Sequence, residues 1–337
     1  MGSDSIFSDK SLNATWYGER RPAWWLRALS ALFKSVVQIR RGLYASGLLS
    51  GMRLRVPVIV VGNITVGGTG KTPLVIALIE ALRARGFNPG VISRGYAGTG
   101  DALLVVDERS SPLSVGDEAA LVCQTTRAPF VVCRDRVKAG RVMLDKTAVD
   151  VIISDDGLQH YRLHRDVEIC VIDGKRRFGN GYLLPAGPLR EPVTRLDSIA
   201  LRVCNGGEAQ PNEIAMRLVG DEAVAVADPQ RRRPLREFVG QRVHAVAGIG
   251  NPERFFAQLR AAGIDVIPHP FDDHFPYAEK DLDFDDGLPV LMTEKDAVKC
   301  RAFTRLDLWS VPVRADLPDG FFDAVAQYVR QARAAAG

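Results

Sequence analysis

The sequence predicts an α/β protein with a P-loop NTPase-like, mostly parallel sheet and helices on both faces. A smaller second α/β domain and an amino-terminal amphipathic helix complete the expected architecture. Three observations carry this expectation. The β-branched run Val56 to Gly62 leads into a glycine-rich segment closed by Gly-Lys-Thr. A second such run, Val149 to Asp156, ends in paired carboxylates. Further short apolar runs are mostly separated by helical or turn stretches, the alternation expected of βαβ units.

Composition bounds the reading. With 337 residues, 46% hydrophobic and 25% charged, the chain can bury a sizeable core across about two domains. Collagen-like, low-complexity and disordered classes are excluded. The net charge of +4 lacks the uniform cationic excess of a phosphodiester binder, so no nucleic-acid partner is expected. That average conceals an asymmetry: residues 20–55 hold eight Arg or Lys and no Asp or Glu, leaving −4 for the rest. The five cysteines are widely spaced without a C-x-x-C pair, which fits a reducing compartment. A signal-peptide pattern and a run of eighteen apolar residues are both lacking, so a cytosolic protein without a spanning helix is expected.

The first element is a helix between Ala23 and Arg41. Trp25, Leu29, Leu32, Val36 and Ile39 recur at steps of three and four, with Leu26, Phe33 and Val37 alongside. Arg27, Ser30, Lys34, Gln38 and Arg41 recur opposite them, giving a cationic polar face. Pro22 suits its start and Gly42 its stop. Such a helix either packs its stripe on the domain or lies on an anionic membrane surface, where Trp24 and Trp25 suit the headgroup boundary. Both roles are compatible, with part of the stripe docked and part exposed.

Val56 to Gly62 reads as a buried parallel strand and Pro73 to Ala84 as a helix. Between them, Thr65, Gly67, Gly68, Thr69, Gly70, Lys71 and Thr72 form a candidate ATP or GTP site. Glycines let backbone N–H groups converge on phosphate, and the helix N-terminus adds its dipole. Lys71 would reach the β- and γ-phosphates and the Thr72 hydroxyl would face Mg²⁺. The general phosphate-loop pattern has glycine at position 65, where this chain has threonine. The strand Val149 to Asp156 brings Asp155 and Asp156 to a carboxyl end, where a metal-organising acid belongs, although an Asp-Asp-Gly turn also ends strands.

Gly90 to Ser93, Pro129 to Cys133, Val167 to Ile172 and Ser198 to Val203 read as further strands. Asp117 and Glu118 follow a Ser/Pro/Gly-rich loop, as a general base would, or as acids at any helix start. Leu183 to Pro192 locks Arg190 and Glu191 between prolines, which suits ligand or metal contact or an ion pair on a rigid turn. His274, beside Asp272 and Asp273, is the best acid/base candidate among the five histidines. Thr293 to Asp296 follows the strand-like run Leu288 to Met292. His160 and His164 have metal-ligand spacing without an evident third ligand. A closing strand from Arg314 and a helix from Phe321 to Ala335 end the chain.

Together these stretches resemble the tetraacyldisaccharide 4'-kinases, which phosphorylate the lipid A disaccharide precursor. The matching segments are GNITVGGTGKTP from Gly62, SRGY from Ser93, VGDEA from Val115, SDDGLQH from Ser154, LLPAGPLREP from Leu183, DDHFPY from Asp272 and TEKDAVK from Thr293. That family carries threonine or serine where the general phosphate loop has its first glycine. The resemblance implies γ-phosphate transfer from ATP, with Mg²⁺, to the 4'-hydroxyl of the tetraacyldisaccharide 1-phosphate lipid A precursor, giving lipid IVA at the cytoplasmic face of the bacterial inner membrane. It implies a membrane-facing segment over 1–55, a P-loop kinase domain over 56–212, and a smaller α/β domain with a two-stranded linker over 213–337. By the same resemblance Lys71 and Thr72 serve phosphate and Mg²⁺, Asp155 and Asp156 the metal and acid network, and Glu191 the metal. Asp117 and His274 would be base and partner. Arg94, Tyr96, Glu118 and Arg136 would lie near the substrate or the transferring phosphate. The alternative reading is a membrane-associated P-loop ATPase acting as a nucleotide switch; a soluble small-molecule kinase fits the basic arm less well.

Overall fold

The computed structural model describes residues 14–18, 20–95 and 102–335. In chain order the elements are α1 Trp24–Ala45, β1 Val58–Gly62, α2 Lys71–Ala84, β2 Pro89–Ser93, β3 Leu104–Val106, α3 Pro112–Val115, α4 Asp117–Thr126, β4 Phe130–Val132, α5 Arg136–Lys146, β5 Val151–Asp155, β6 Val167–Asp173, β7 Leu201–Asn205, β8 Ile214–Val219, β9 Glu222–Ala225, β10 Arg232–Pro234, β11 Arg242–Ala247, α6 Pro252–Ala261, β12 Asp265–Pro270, β13 Val290–Thr293, α7 Glu294–Cys300, β14 Leu308–Val311, β15 Arg314–Asp316 and α8 Asp319–Ala334. They form two compact units, one of residues 1–71, 150–217 and 317–337, the other of residues 72–149 and 218–316.

The first unit is built on parallel strands in the order β8-β7-β6-β1-β5. All five residues of β1 are buried, as a β-branched strand covered on both faces requires. The register pairs Val61 with Asp155, so β1 and β5 deliver Gly62 and the carboxylate pair to the same sheet edge. That edge, at the carboxyl ends of the strands, is where open α/β sheets bind ligands. The last of the expected strands in this sheet begins at Leu201 rather than Ser198. A 3-10 turn over Val193–Ser198 takes up the earlier residues, and Ile199 N donates to Leu196 O at 3.0 Å.

In α1, Leu26 and Ser30 are buried, and Ser30 Oγ donates to Leu183 O at 2.8 Å, which fastens the helix beside the proline-rich segment. Leu29, Leu32, Val36 and Ile39 remain exposed. Of the expected apolar face only Leu26 is buried, with Trp25, Phe33 and Val37 half-buried, and Ser30, expected on the opposite polar face, is docked because its hydroxyl finds a carbonyl there. The helix also passes through Gly42, the expected stop, to Ala45. Gly42 keeps helical hydrogen bonding because its carbonyl accepts from Ser46 N at 2.9 Å. The positive φ that ends the segment falls instead at Gly47, +75°. No described helix is long and apolar enough to cross a membrane.

In the second unit β2 and β4 pair in parallel, and β3 adds antiparallel to β4. A separate six-stranded sheet runs in the order β10-β9-β14-β13-β11-β12. Its two faces bury different layers. Phe255, Phe256 and Leu259 of α6 pack with Phe238 and Trp309 on one, and Tyr277, Leu282, Ala297 and Cys300 cover Val246 and Met292 on the other. The second face carries α7 and the segment leading to His274.

Candidate active site

Within the first unit the phosphate loop leaves β1 at Gly62, where a Cβ would come within 2.7 Å of Leu158 Cγ. Asn63 is fully buried and ties the loop to itself, donating to Gly67 O at 3.3 Å and accepting from Lys71 Nζ at 3.4 Å. Gly70 is required twice over. Its φ is +90°, and a Cβ there would collide with the side chain of Asn205, whose amide donates to Thr69 O at 2.8 Å. Thr65 sits in a short antiparallel bridge with Leu189, an extended pairing that needs no glycine. The departure from the general loop pattern thus has a structural reason.

The proline-rich segment is the wall of this loop. Val66 N donates to Pro188 O at 2.8 Å and Arg190 N to Ile64 O at 2.7 Å. That pairing sets the Arg190 guanidinium 3.0 and 3.1 Å from the two Asp156 oxygens. Lys71 Nζ lies 3.4 Å from Asp156 Oδ1. Asp156 has a left-handed φ of +46°, and its N–H donates to Asp155 Oδ1 at 2.9 Å. The partly exposed Asp156 carboxylate therefore stands beside the loop lysine, and the buried Asp155 carboxylate is tied to its backbone. Glu191, 1% exposed, accepts from Gln159 Nε2 at 3.0 Å and from the Tyr161 hydroxyl. Burial holds its pKa above the usual carboxylate range, against the Gln159 bond and the charges of Arg195, Arg41 and Arg40.

Two features fit a bound nucleotide and a hard cation. Thr69 Oγ1 is buried without a hydrogen-bond partner inside the loop, an orphan that a phosphate oxygen would satisfy. Thr72, Asp155, Asp156 and Glu191 offer only oxygen donors, the set that Mg²⁺ prefers and usually shares with substrate phosphates. Among the described residues no group of three or more His, Cys, Asp or Glu is arranged to hold a metal by itself. His160 and His164 lie in irregular backbone rather than on one helix, and His164 Nε2 instead meets Arg53 Nη2 at 2.8 Å.

The second cluster lies wholly within the other unit. Gly116, with φ +92°, opens α4 so that Asp117 begins the helix, and its side chain is 4% exposed. His274, in a left-handed conformation with φ +64°, points Nδ1 at both Asp117 oxygens, 2.9 Å from each. Residues held in that backbone region concentrate at functional sites. From α7, Lys299 Nζ approaches Asp117 Oδ2 to 3.8 Å. Burial pushes the Asp117 carboxyl up, but the His274 bond and the charges of Lys295 and Lys299 outweigh it and hold the pKa below its usual value. A carboxylate lowered in this way stabilises the fold above its unfolded pKa and loses that contribution as pH falls through the folded one. At neutral pH Asp117 is an ionised base.

Glu118 is paired with Lys295 Nζ at 3.2 Å. Arg136 is buried at the first turn of α5, and Arg94 is exposed after β2. Tyr96 lies outside the described residues. Sequence reasoning did not single out Asn63, Gln159, Tyr161 or Asn205. Asn63 and Gln159 stand inside quoted motifs, whereas nothing in the sequence marks Asn205, which reaches the loop from the end of β7.

A parallel sheet that delivers a glycine-rich loop, a Lys-Thr pair at a helix N-terminus and adjoining carboxylates defines a P-loop phosphotransferase. The family model for LpxK, tetraacyldisaccharide-1-P 4'-kinase, matches residues 22–330. A tetraacyldisaccharide 4'-kinase of Methylobacillus flagellatus is 50% identical over 307 residues, 91% of this chain and 92% of that protein. One of Stenotrophomonas maltophilia is 50% identical over 328 residues, 94% of this chain and 96% of that one. The crystal structure of LpxK from Aquifex aeolicus in complex with ATP matches with a TM-score of 0.76 at 29% identity, covering 91% of this chain and 98% of that one. The chain belongs to the tetraacyldisaccharide-1-P 4'-kinase family, and it is a kinase.

Proposed function

We propose that this chain transfers the γ-phosphate of ATP to the 4'-hydroxyl of the tetraacyldisaccharide 1-phosphate lipid A precursor. The observation that carries the reading is Asp117, buried, ionised and held at 2.9 Å by His274, in a chain that also has a complete Gly-Lys-Thr loop. A sugar hydroxyl needs a base to take its proton; a nucleotide switch does not. Asp117 accepts that proton and His274 keeps its carboxylate aimed. Lys71 and the loop N–H groups bind and align the phosphates, and Arg190 keeps Asp156 in place beside Lys71. Mg²⁺, held by Thr72 with Asp155, Asp156 and Glu191 as its candidate carboxylates, would neutralise charge on the phosphoryl oxygens. Arg94, Tyr96, Glu118 and Arg136 serve the acceptor or the transferring phosphate. The functional division follows residues 1–55, 56–212 and 213–337.

The test is transfer of label from ATP to the purified lipid acceptor in detergent. Unlabelled lipid after incubation with demonstrably folded protein would overturn the reading.

The chain is further proposed to work at the cytoplasmic face of the bacterial inner membrane, resting the exposed side of α1 on anionic lipid, with no nucleic-acid partner. Leu32 and Val36 are 64% and 56% exposed on that side, and the arm carries the +8 charge. Leu32→Asp with Val36→Asp is expected to weaken cosedimentation with phosphatidylglycerol-containing vesicles about tenfold, since two apolar anchors are lost and two repelled charges gained. Equal binding of variant and parent would remove the interfacial role.

A further inference from the structure

The imidazole of His274 has two nitrogens, and the base pair described above uses one. Nδ1 faces the Asp117 carboxylate, which can only accept, so Nδ1 carries hydrogen. Nε2 faces Asp273 and Lys295, whose demands are opposite. Asp273 Oδ1 lies 3.7 Å away and would draw a proton onto Nε2; Lys295 Nζ lies 3.5 Å away and can only donate to it. The two are not independent, because Lys295 Nζ also binds Asp273 Oδ1 at 3.0 Å and Glu118 Oε1 at 3.2 Å. Lys295 therefore occupies Asp273 and presents its own N–H to the ring.

The placement of Lys295 is built rather than incidental. Its side chain is 15% exposed, at the first turn of α7. That helix is fixed by Thr293, whose Oγ1 caps Asp296 N at 3.2 Å, and by fully buried Asp296, which accepts from Gly248 N at 2.9 Å. Lys299, one turn on, binds Asp296 Oδ1 at 3.0 Å and lies over the Tyr277 ring. Thus α7 offers two cations to the dyad, α4 offers Asp117 and Glu118, and the loop before Tyr277 offers Asp273 and His274. Burial would lower the Lys295 pKa, but Glu118, Asp117 and Asp273 hold it above the ordinary lysine range, so the ammonium stays charged.

We infer that Lys295 is a positioning residue for phosphoryl transfer: by spanning Glu118, Asp273 and His274 Nε2 it keeps His274 in the Nδ1–H tautomer that aims Asp117 at the acceptor hydroxyl. The inference rests on the proposed kinase reading for its effect on rate, though not for the state of the ring. It gives the TEKD sequence a role through the lysine in it.

Two measurements on the full-length protein decide it. In long-range ¹H–¹⁵N spectra, His274 of the parent shows only Nδ1 protonated, and Lys295→Met adds protonated Nε2, because the Asp273 carboxylate beside it is then released from the ammonium. In steady-state transfer from ATP to the lipid acceptor, Lys295→Met loses about tenfold in kcat with the KM for ATP unchanged, the loss expected when a base is misaimed but nucleotide binding is untouched. Lys295→Arg, which keeps a cation between Glu118 and Asp273, recovers most of that loss. Lys295→Leu removes charge and donor alike and shows the same kcat loss, which covers the case in which the methionine variant fails to fold. An unchanged His274 spectrum in folded Lys295→Met or Lys295→Leu would overturn the clamp, and an unchanged kcat would overturn its part in transfer. If the parent protein itself transfers no phosphate, the kinase reading fails while the spectra still decide the tautomer.

Discussion

Asp117→Asn is expected to lower kcat for lipid phosphorylation by about 10³-fold with little change in the KM for ATP, since a positioned general base contributes roughly 10²- to 10⁴-fold. The substitution is nearly isosteric. It keeps an oxygen to accept from His274 Nδ1 and from Glu118 N, both now at 2.9 Å, so the helix start is preserved. What it removes is the lone pair that takes the hydroxyl proton and the charge that Lys295 and Lys299 face. His274→Ala removes only the group that aims the carboxylate and should cost less. Because the two residues act as one unit, the double variant should be no slower than Asp117→Asn within a fewfold. Kinetics of the three variants at saturating ATP check this; additive losses would mean that His274 acts on something other than Asp117.

Lys71→Ala is expected to abolish transfer, with a loss of about 10³-fold or more, because charge stabilisation at the transferring phosphoryl is most of what the protein supplies. The fold should tolerate the change. Lys71 Nζ is 3.4 Å from both Asn63 Oδ1 and Asp156 Oδ1, modest interactions, and Asp156 keeps its bidentate bond to Arg190. Single-turnover transfer measured beside a thermal melt separates the two effects. A variant that melts like the parent and still phosphorylates the lipid at a comparable rate would show that the loop lysine is not part of the transfer machinery.

Much of the first unit was legible residue by residue. A fully buried parallel strand must be apolar on both faces, so a strand could be read over Val56 to Gly62, of which Val58 to Gly62 forms it. A loop that wraps phosphate needs glycine where φ is positive, so Gly67 and Gly70 marked it. The pairing of the proline-rich wall with that loop was not legible, because hydrogen bonds between Val66 and Pro188 involve backbone atoms that every residue carries. Gly42 misled for the opposite reason. Glycine permits a helix to stop without compelling it, and the burial of Leu26 and Ser30 holds the helix to the domain whatever follows.

The dyad shows the division most clearly. Asp117 and His274 each stood out singly, one at a helix start and one among acids, but 157 positions separate them and only the resemblance to a family joined them. The amino-acid sequence determined by itself the phosphate loop, the strand that carries it, the alternation that makes the sheet parallel and the concentration of positive charge in the amino-terminal arm. Those properties depend on local periodicity, glycine conformation and charge, which the chain displays without folding. Tertiary structure alone decided which oxygen faces which nitrogen: that Asp117 lies against His274 Nδ1, that Lys295 lies between Asp273 and Nε2, and that α1 docks through Leu26 and Ser30 while Leu29, Leu32, Val36 and Ile39 stay exposed. Such contacts are set by how packed elements bring distant side chains together, and a protonation state or a tautomer exists only once those neighbours are in place.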